Sequence, residues 1–321
     1  MTLYVRALVC LLSGLPASTH AGDFLQIKNE NPLLRGLYLP MPSDMRATDG
    51  PTLSASVAVA NTINVEASDG ERLFVDGEST TLRLSYDASL APDWRYRLTL
   101  PLLHDAGGSF DSLIDRWHGW FGLPRGQRPN FPRNRLAYSY SGLAAVNVGR
   151  SHTSLGDAAA ELGWFLRDDA TQSLSFWAGF EAPTGKASDA TGNGAWDASL
   201  WVHAALRGAR WRLGGEAGLL RPFGDDLFAA AARRTAVFGR TAVSWTPSPA
   251  WSLRLQLEAQ SARLNDTQIR FLGPSVVLSA GAQVRLGRQW SAQLGFSEDA
   301  AADTAPDVTF FLGLRRTAFA H

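Results

Sequence analysis

The chain has 321 residues with thirty Lys+Arg against thirty Asp+Glu, so it lacks the basic surplus that a nucleic-acid partner selects. Its one cysteine, Cys10, lies at the very start, which leaves the remainder without disulfides, thiolate chemistry or Cys-ligated metal. No later segment reads as a transmembrane helix, so if the chain spans a membrane a closed β-barrel is the remaining way to satisfy its backbone in lipid.

In chain order, Arg6 precedes an apolar run from Ala7 to Leu15, and Thr19-His20-Ala21 has the small-residue pattern of a signal-peptidase site. The spacing predicts a secretory signal peptide over 1–21. Its apolar run is far shorter than the roughly 20 residues a bilayer-spanning helix needs. Leu8-Val9 ahead of Cys10 do not fit a lipidation site. Residues 22–52 are expected as a periplasmic N-terminal segment, and 53–319 as the folded unit.

From Leu53 onward the dominant period is two. Leu53, Ala55, Val57, Val59, Ile63 and Val65 share one face, and Ser54, Ser56, Thr62, Asn64 and Glu66 the other. The same alternation recurs at Leu82–Tyr86, Trp94–Leu102, Leu162–Leu166, Leu174–Phe180, Trp196–Val202, Trp211–Leu219, Val237–Trp245, Trp251–Leu257, Val276–Val284, Trp290–Phe296 and Val308–Leu314. These segments read as twelve strands. Their links alternate in length. Short turns fall at Ser89–Asp93, Asp168–Thr171, Arg207–Arg210, Thr246–Ala250 and Gly287–Gln289. Long links fall at Ala67–Ser79, His104–Gly156, Thr184–Ala195, Arg221–Arg234, Leu264–Phe271 and Asp299–Asp307. An even strand count with every second link short is the pattern of an all-β, antiparallel up-and-down transmembrane barrel with periplasmic turns and external loops.

Trp94, Trp211, Trp251 and Trp290 open strands after short turns, and Trp164 and Trp245 close strands before them. All six fall at one level on the apolar face, as an aromatic girdle at the headgroup zone requires. A soluble sandwich or an apolar-inward barrel would have to bury all these faces, and a barrel of that strand number is too wide to fill in that way.

Three sets of residues are candidates for function. Within the long link 104–156, Phe110, Leu113, Ile114, Trp117 and Phe121 follow helical spacing. A short amphipathic helix over 110–122 is expected there, presenting Asp111, Asp115, Arg116, Trp117 and His118 at the external mouth or packing on the rim. Tyr138 to Val148 adds a hairpin above the membrane or one more pair of strands. On the polar faces, Arg83, Arg95, Arg97, Glu161, Glu181, Arg207, Arg212, Glu216, Arg240, Arg254, Glu258 and Arg285 are expected to line the lumen. They either pair into ladders that stiffen the barrel or, through the excess of arginine, favour anions.

Catalytic signals are poor. His203 has only Ser199 in a comparable register, and His152 with Ser154 sits in a loop, which is weak evidence for a base and nucleophile. The histidines are too scattered for a metal site, there is no phosphate-binding Gly-rich loop, and no cofactor or enzymatic activity is expected.

Several stretches resemble a known family. Gln26-Ile27-Lys28-Asn29-Glu30-Asn31-Pro32 with Gly36-Leu37-Tyr38-Leu39-Pro40, and the block from Phe110 to Pro124, are similar to the DUF3187 proteins of Gram-negative bacteria. Gly156-Asp157, Ala182-Pro183-Thr184-Gly185 and Gly192-Asn193-Gly194 with Asp197 resemble repeats of the wider barrel group named for meta-pathway phenol degradation. The resemblance implies an outer-membrane barrel with a role in passage of small molecules, and carries over no catalytic residue. The chain departs from the usual terminal aromatic of such barrels, since Ala320 and His321 follow Phe319.

The expectation is therefore a monomeric outer-membrane channel or small-solute uptake protein. Its partners would be membrane lipid, lipopolysaccharide, the barrel assembly machinery and a small solute. The alternatives are a closed structural or surface-binding barrel, which a lumen tightly filled by paired Arg and Glu would favour, and an outer-membrane hydrolase, which would need a Ser–His pair on the outer rim.

Overall fold

The computed structural model describes residues 22–43, 46, 50–108, 116, 119–120, 131–132, 134–223, 227–228, 231–301 and 303–318. The expected signal peptide and nearly all of the helix expected over 110–122 lie outside the described residues.

The strands are β1 (Thr52–Ser68), β2 (Glu71–Ala91), β3 (Trp94–Ala106), β4 (Ala137–Ser141), β5 (Ala145–Val148), β6 (His152–Leu155), β7 (Ala158–Asp168), β8 (Gln172–Ala182), β9 (Trp196–Arg207), β10 (Trp211–Phe223), β11 (Ala236–Ser248), β12 (Trp251–Gln260), β13 (Ser275–Arg285), β14 (Trp290–Asp299) and β15 (Val308–Thr317). Twelve of them, β1–β3 and β7–β15, close into an antiparallel barrel. β15 returns to β1 with Leu312 opposite Val57, so no wall edge is left open. Each wall strand coincides with one period-two segment of the sequence. Leu253, Leu255 and Leu257 on β12 are exposed on the outside, while Ser252, Arg254, Gln256 and Glu258 between them are buried. On the wall strands the predominantly apolar side points outward, the inverse of a soluble barrel.

The long link Ala67–Ser79 is not a loop. β1 and β2 stay paired as far as Ser68 opposite Glu71, and a turn at Asp69-Gly70, with Gly70 at φ +78°, joins them. Beyond the wall the hairpin has its own apolar partners, which period-two counting does not reveal. β4 adds to its edge, with Arg72 opposite Ser141, and β5 follows β4, so 138–148 forms a hairpin above the wall and no further wall strands. Leu73, Val75, Tyr138, Tyr140 and Val146 join Phe228, Ile269, Phe271 and Leu272 in a core that covers the loop end of the barrel.

A second correction concerns residues 22–52, expected as a separate periplasmic segment. Residues 22–43 instead lie inside the lumen, and Phe24, Leu25, Ile27, Leu33, Leu34, Leu37 and Leu39 are all buried. The segment is a U-shaped strap. It starts beside Arg207 at the turn end and rises to the loop-end core, where Asn31 Nδ2 donates to the Phe271 carbonyl and Leu33, Leu34 and Leu37 are buried. The second leg descends as far as Ser43; Arg46 donates to the Asp169 carbonyl at the turn end, and Gly50 lies beside β1. Two bonds brace its legs, Gln26 Nε2 to the Pro42 carbonyl at 3.1 Å and Lys28 Nζ to the Leu39 carbonyl at 2.7 Å. The physical reason for this placement is volume: a barrel of this strand number is wider than its own inward side chains can fill.

The lumen wall has two different sides. On β7–β11, Phe165, Trp177, Trp201, Leu220 and Phe238 point inward and pack with Leu39 of the strap. Register puts Gly163, Trp177, Trp201, Gly218 and Phe238 on one cross-strand row. The two indoles stack at 5.8 Å and 14°. The glycines make room, since a Cβ at Gly163 would lie 2.6 Å from the Trp177 ring. The opposite side, on β1, β2, β14 and β15, is mixed: Ala58 and Phe311 pack on Leu25 and Ile27 of the strap, and a cavity of about 50 Å³ remains, lined by Ser54, Ser56, Ser85 and Gln293 together with Met41 and Leu314.

Gly163→Val forces Trp177 off its place against the wall. A loss of about 1–3 kcal/mol is expected from such overpacking, measured as a lower urea midpoint for unfolding from micelles.

Candidate functional site: the strap-filled lumen

The inward side chains of the wall hold the strap. Arg83, Arg95, Arg97, Glu161, Glu181, Glu216, Arg240, Arg254 and Glu258 are all buried in the lumen. Arg212 and Arg285 sit half-buried near the turn end. Of the external-loop candidates, Asp111, Asp115, Trp117 and His118 lie outside the described residues, and Arg116 is exposed. Trp94, Trp164, Trp211, Trp245, Trp251 and Trp290 are exposed on the outer face at the turn end, where Trp94 stacks on Trp164 at 6.2 Å and Trp211 on Trp245 at 6.1 Å.

Strand register assembles the charges into rows. Asp87, Arg97 and Glu161 are cross-strand neighbours, with Arg97 Nε 2.7 Å from Asp87 and Nη1 3.4 Å from Glu161. His203, Glu216, Arg240 and Glu258 form a second row, in which Arg240 lies 3.0 Å from Glu216 and 2.6 Å from Glu258. The strap adds two carboxylates to this network. Asp23 lies 3.0 Å from Arg207 and 3.7 Å from His203, and Glu30 lies 2.7 Å from Arg83. Arg207 also pairs with Asp168 at 2.8 Å. Burying such charges is tolerable only because each has a counter-charge and further hydrogen bonds.

Most of the strap's remaining hold is on its main chain. The N–H groups of Asn29, Tyr38 and Ser43 donate to Glu258 (2.9 Å), Asp197 (2.9 Å) and Glu216 (2.7 Å). The carbonyls of Phe24, Pro40 and Pro42 accept from Arg254 (2.5 Å), Arg240 (2.7 Å) and Arg97 (3.3 Å), and that of Leu37 accepts from Arg263. Gln256 does both, accepting from Leu25 N–H at 2.9 Å and donating to the Ile27 carbonyl at 3.3 Å. A buried irregular segment needs this, because it has no strand ladder to satisfy its backbone.

Sequence reasoning left out Asp87, Asp168 and the strap's own Asp23 and Glu30. It also passed over Phe165, Trp177, Trp201 and Phe238, which occupy inward positions where polar residues were expected. The weak Ser–His candidate is separated: His152 Nε2 faces Asp105 at 3.2 Å, while Ser154 donates to the Leu155 carbonyl. No group of three His, Cys, Asp or Glu suited to a metal occurs among the described residues.

At the loop end Asp105 also pairs with Arg35 of the strap apex. The contact with Asp105 raises the His152 pKa above its ordinary 6.5. The stability this contributes is fully present below 6.5 and is lost as pH rises through the raised value. A His152→Gln variant is therefore expected to lose its stability deficit relative to the parent as pH increases, as read by unfolding midpoints across pH 5 to 9. In the lumen, Arg240→Leu leaves Glu216 and Glu258 without their shared cation and is expected to cost about 3–5 kcal/mol. Exposed Arg221→Leu is expected to change stability by less than about 0.5 kcal/mol in the same assay.

The fold is similar to that of the COG4313 outer membrane channel from Pseudomonas putida F1, with 14% identity, TM-score 0.55, and 88% of this chain and 98% of that chain covered. The NanC porin (8% identity, TM-score 0.49, 83% and 100% covered) and the toluene transporter TbuX of Ralstonia pickettii (10%, 0.43, 95% and 99%) are more distant in shape. No curated protein sequence matches the chain. The model of the family described as "Protein of unknown function (DUF3187)" matches residues 1–317, and the chain belongs to that family.

Proposed function

We propose that this protein is a monomeric outer-membrane channel for small solutes whose lumen is closed in the described state by the strap of residues 22–43. The outward apolar faces and the turn-end tryptophans support the membrane location. The observation that carries the channel reading is the nature of what fills the lumen. The occluding material is one segment, which precedes β1 in the chain and is held by the wall's side chains rather than by a ladder of its own. Such a filling can leave without breaking the barrel, and a small cavity already lies between strap and wall beside Gln26 on β1, β2, β14 and β15.

A closed structural barrel is the second reading, and the paired rows Asp87–Arg97–Glu161 and Glu216–Arg240–Glu258 favour it. These rows lie against the wall, however, and leave the central space to the strap.

Planar-bilayer recordings separate the two readings. The mature protein is expected to be nearly silent, and deletion of residues 22–43 to give a stable open level. A deletion variant that inserts as a barrel and stays silent contradicts the channel reading.

A further inference from the structure

The way the strap is held indicates what else the lumen accepts. Along both legs the wall offers both acceptors and donors, and the strap answers with main-chain N–H and C=O groups. Gln256 shows this most directly, since one amide grips both the donor of Leu25 and the acceptor of Ile27. Glu258 and Asp197 take N–H groups, and Arg254 and Arg240 give hydrogen bonds to carbonyls.

We infer that the lumen is a binding site for extended peptide, with residues 22–43 as its resident occupant. This rests on the reading of the lumen as a solute passage and deepens it by naming the class of solute. When the strap leaves, Glu258 and Asp197 each lose a main-chain N–H donor and Arg254 and Arg240 each lose a carbonyl acceptor, so an anion or a cation alone replaces only half of what the strap supplies. A sugar's hydroxyls donate and accept, but it lacks the fixed N–H and C=O groups spaced along an extended backbone that these side chains now hold. A polypeptide supplies both at the spacing the strap already uses. Because much of the grip falls on main-chain atoms, it is tolerant of sequence. The row of Trp177, Trp201 and Phe238 adds a flat apolar surface, now covered by Leu39, on which an apolar side chain of the ligand packs.

Access is from the turn end. Both legs of the strap reach that end, beside Arg207 and at Gly50 next to Arg95, whereas the loop end is covered by the core around Tyr138 and Phe271. A peptide entering there takes the path of the strap as the strap withdraws.

The test is hydrogen exchange on the full mature chain in micelles, followed at the strap amides. Three probes are added separately: a synthetic peptide spanning 22–33, a shuffled peptide of the same composition, and maltotriose. Both peptides are expected to speed exchange of the Asn29 and Tyr38 amides about tenfold, and maltotriose to leave it unchanged. The same titration on the full chain carrying Asp23→Asn and Glu30→Gln, which removes two of the strap's carboxylate contacts, is expected to reach that effect at lower peptide concentration. Failure of both peptides in both proteins overturns the inference, as does an effect of the strap sequence alone or an equal effect of maltotriose. No current is measured, so a barrel that binds peptide and never conducts sinks the channel reading while sparing the site. A conducting barrel that ignores peptide does the opposite.

Discussion

A barrel of this strand number with its apolar side outward encloses more space than its own inward side chains can fill. Everything distinctive about this molecule answers that constraint. The strap runs up the lumen and back, doubling its thickness, and the bonds from Gln26 to Pro42 and from Lys28 to Leu39 keep its legs together. The aromatic row on β7–β11 fills one side, and Gly163 and Gly218 thin the wall so that large rings fit there. The charge rows line the wall around the strap. A small cavity is left on the opposite side.

Filling a lumen with irregular chain carries a cost in backbone polarity, since the strap's N–H and C=O groups lose water and gain no ladder. The wall meets this cost with carboxylates, amides and guanidiniums at inward positions. The same residues therefore stabilise the filled lumen and, in the proposed reading, form the surface that recognises a peptide. Arg240 illustrates this, holding Glu216 and Glu258 on the wall while donating to the Pro40 carbonyl.

The wall was legible in the sequence because lipid imposes a rule on every second residue, and Leu253-Arg254-Leu255-Gln256-Leu257-Glu258 obeys it residue by residue. The inward charges followed from the same parity. The aromatic row was not legible, because Trp177, Trp201 and Phe238 become neighbours only once register is known, and singly each looks like a lapse in the alternation. The strap was hidden for a different reason. It has no period, and its partners are remote in the chain, as with Asn29 and Glu258. The one hint lay in its composition: Phe24, Leu25, Ile27, Leu33, Leu34, Leu37 and Leu39 are more apolar residues than a solvated periplasmic segment would carry. The hairpin extension at Ala67–Ser79 escaped because its apolar partners, Tyr138 and Phe271 among them, come from other loops.

The most direct test of the central claim is a nuclear Overhauser spectrum of the mature protein in micelles. Occupation of the lumen predicts cross-peaks from the Leu39 methyls to the ring protons of the Phe165, Trp177, Trp201 and Phe238 cluster, and from Leu25 and Ile27 to Phe311. A strap with random-coil shifts and none of these cross-peaks, on a barrel whose wall amides remain dispersed, would contradict it.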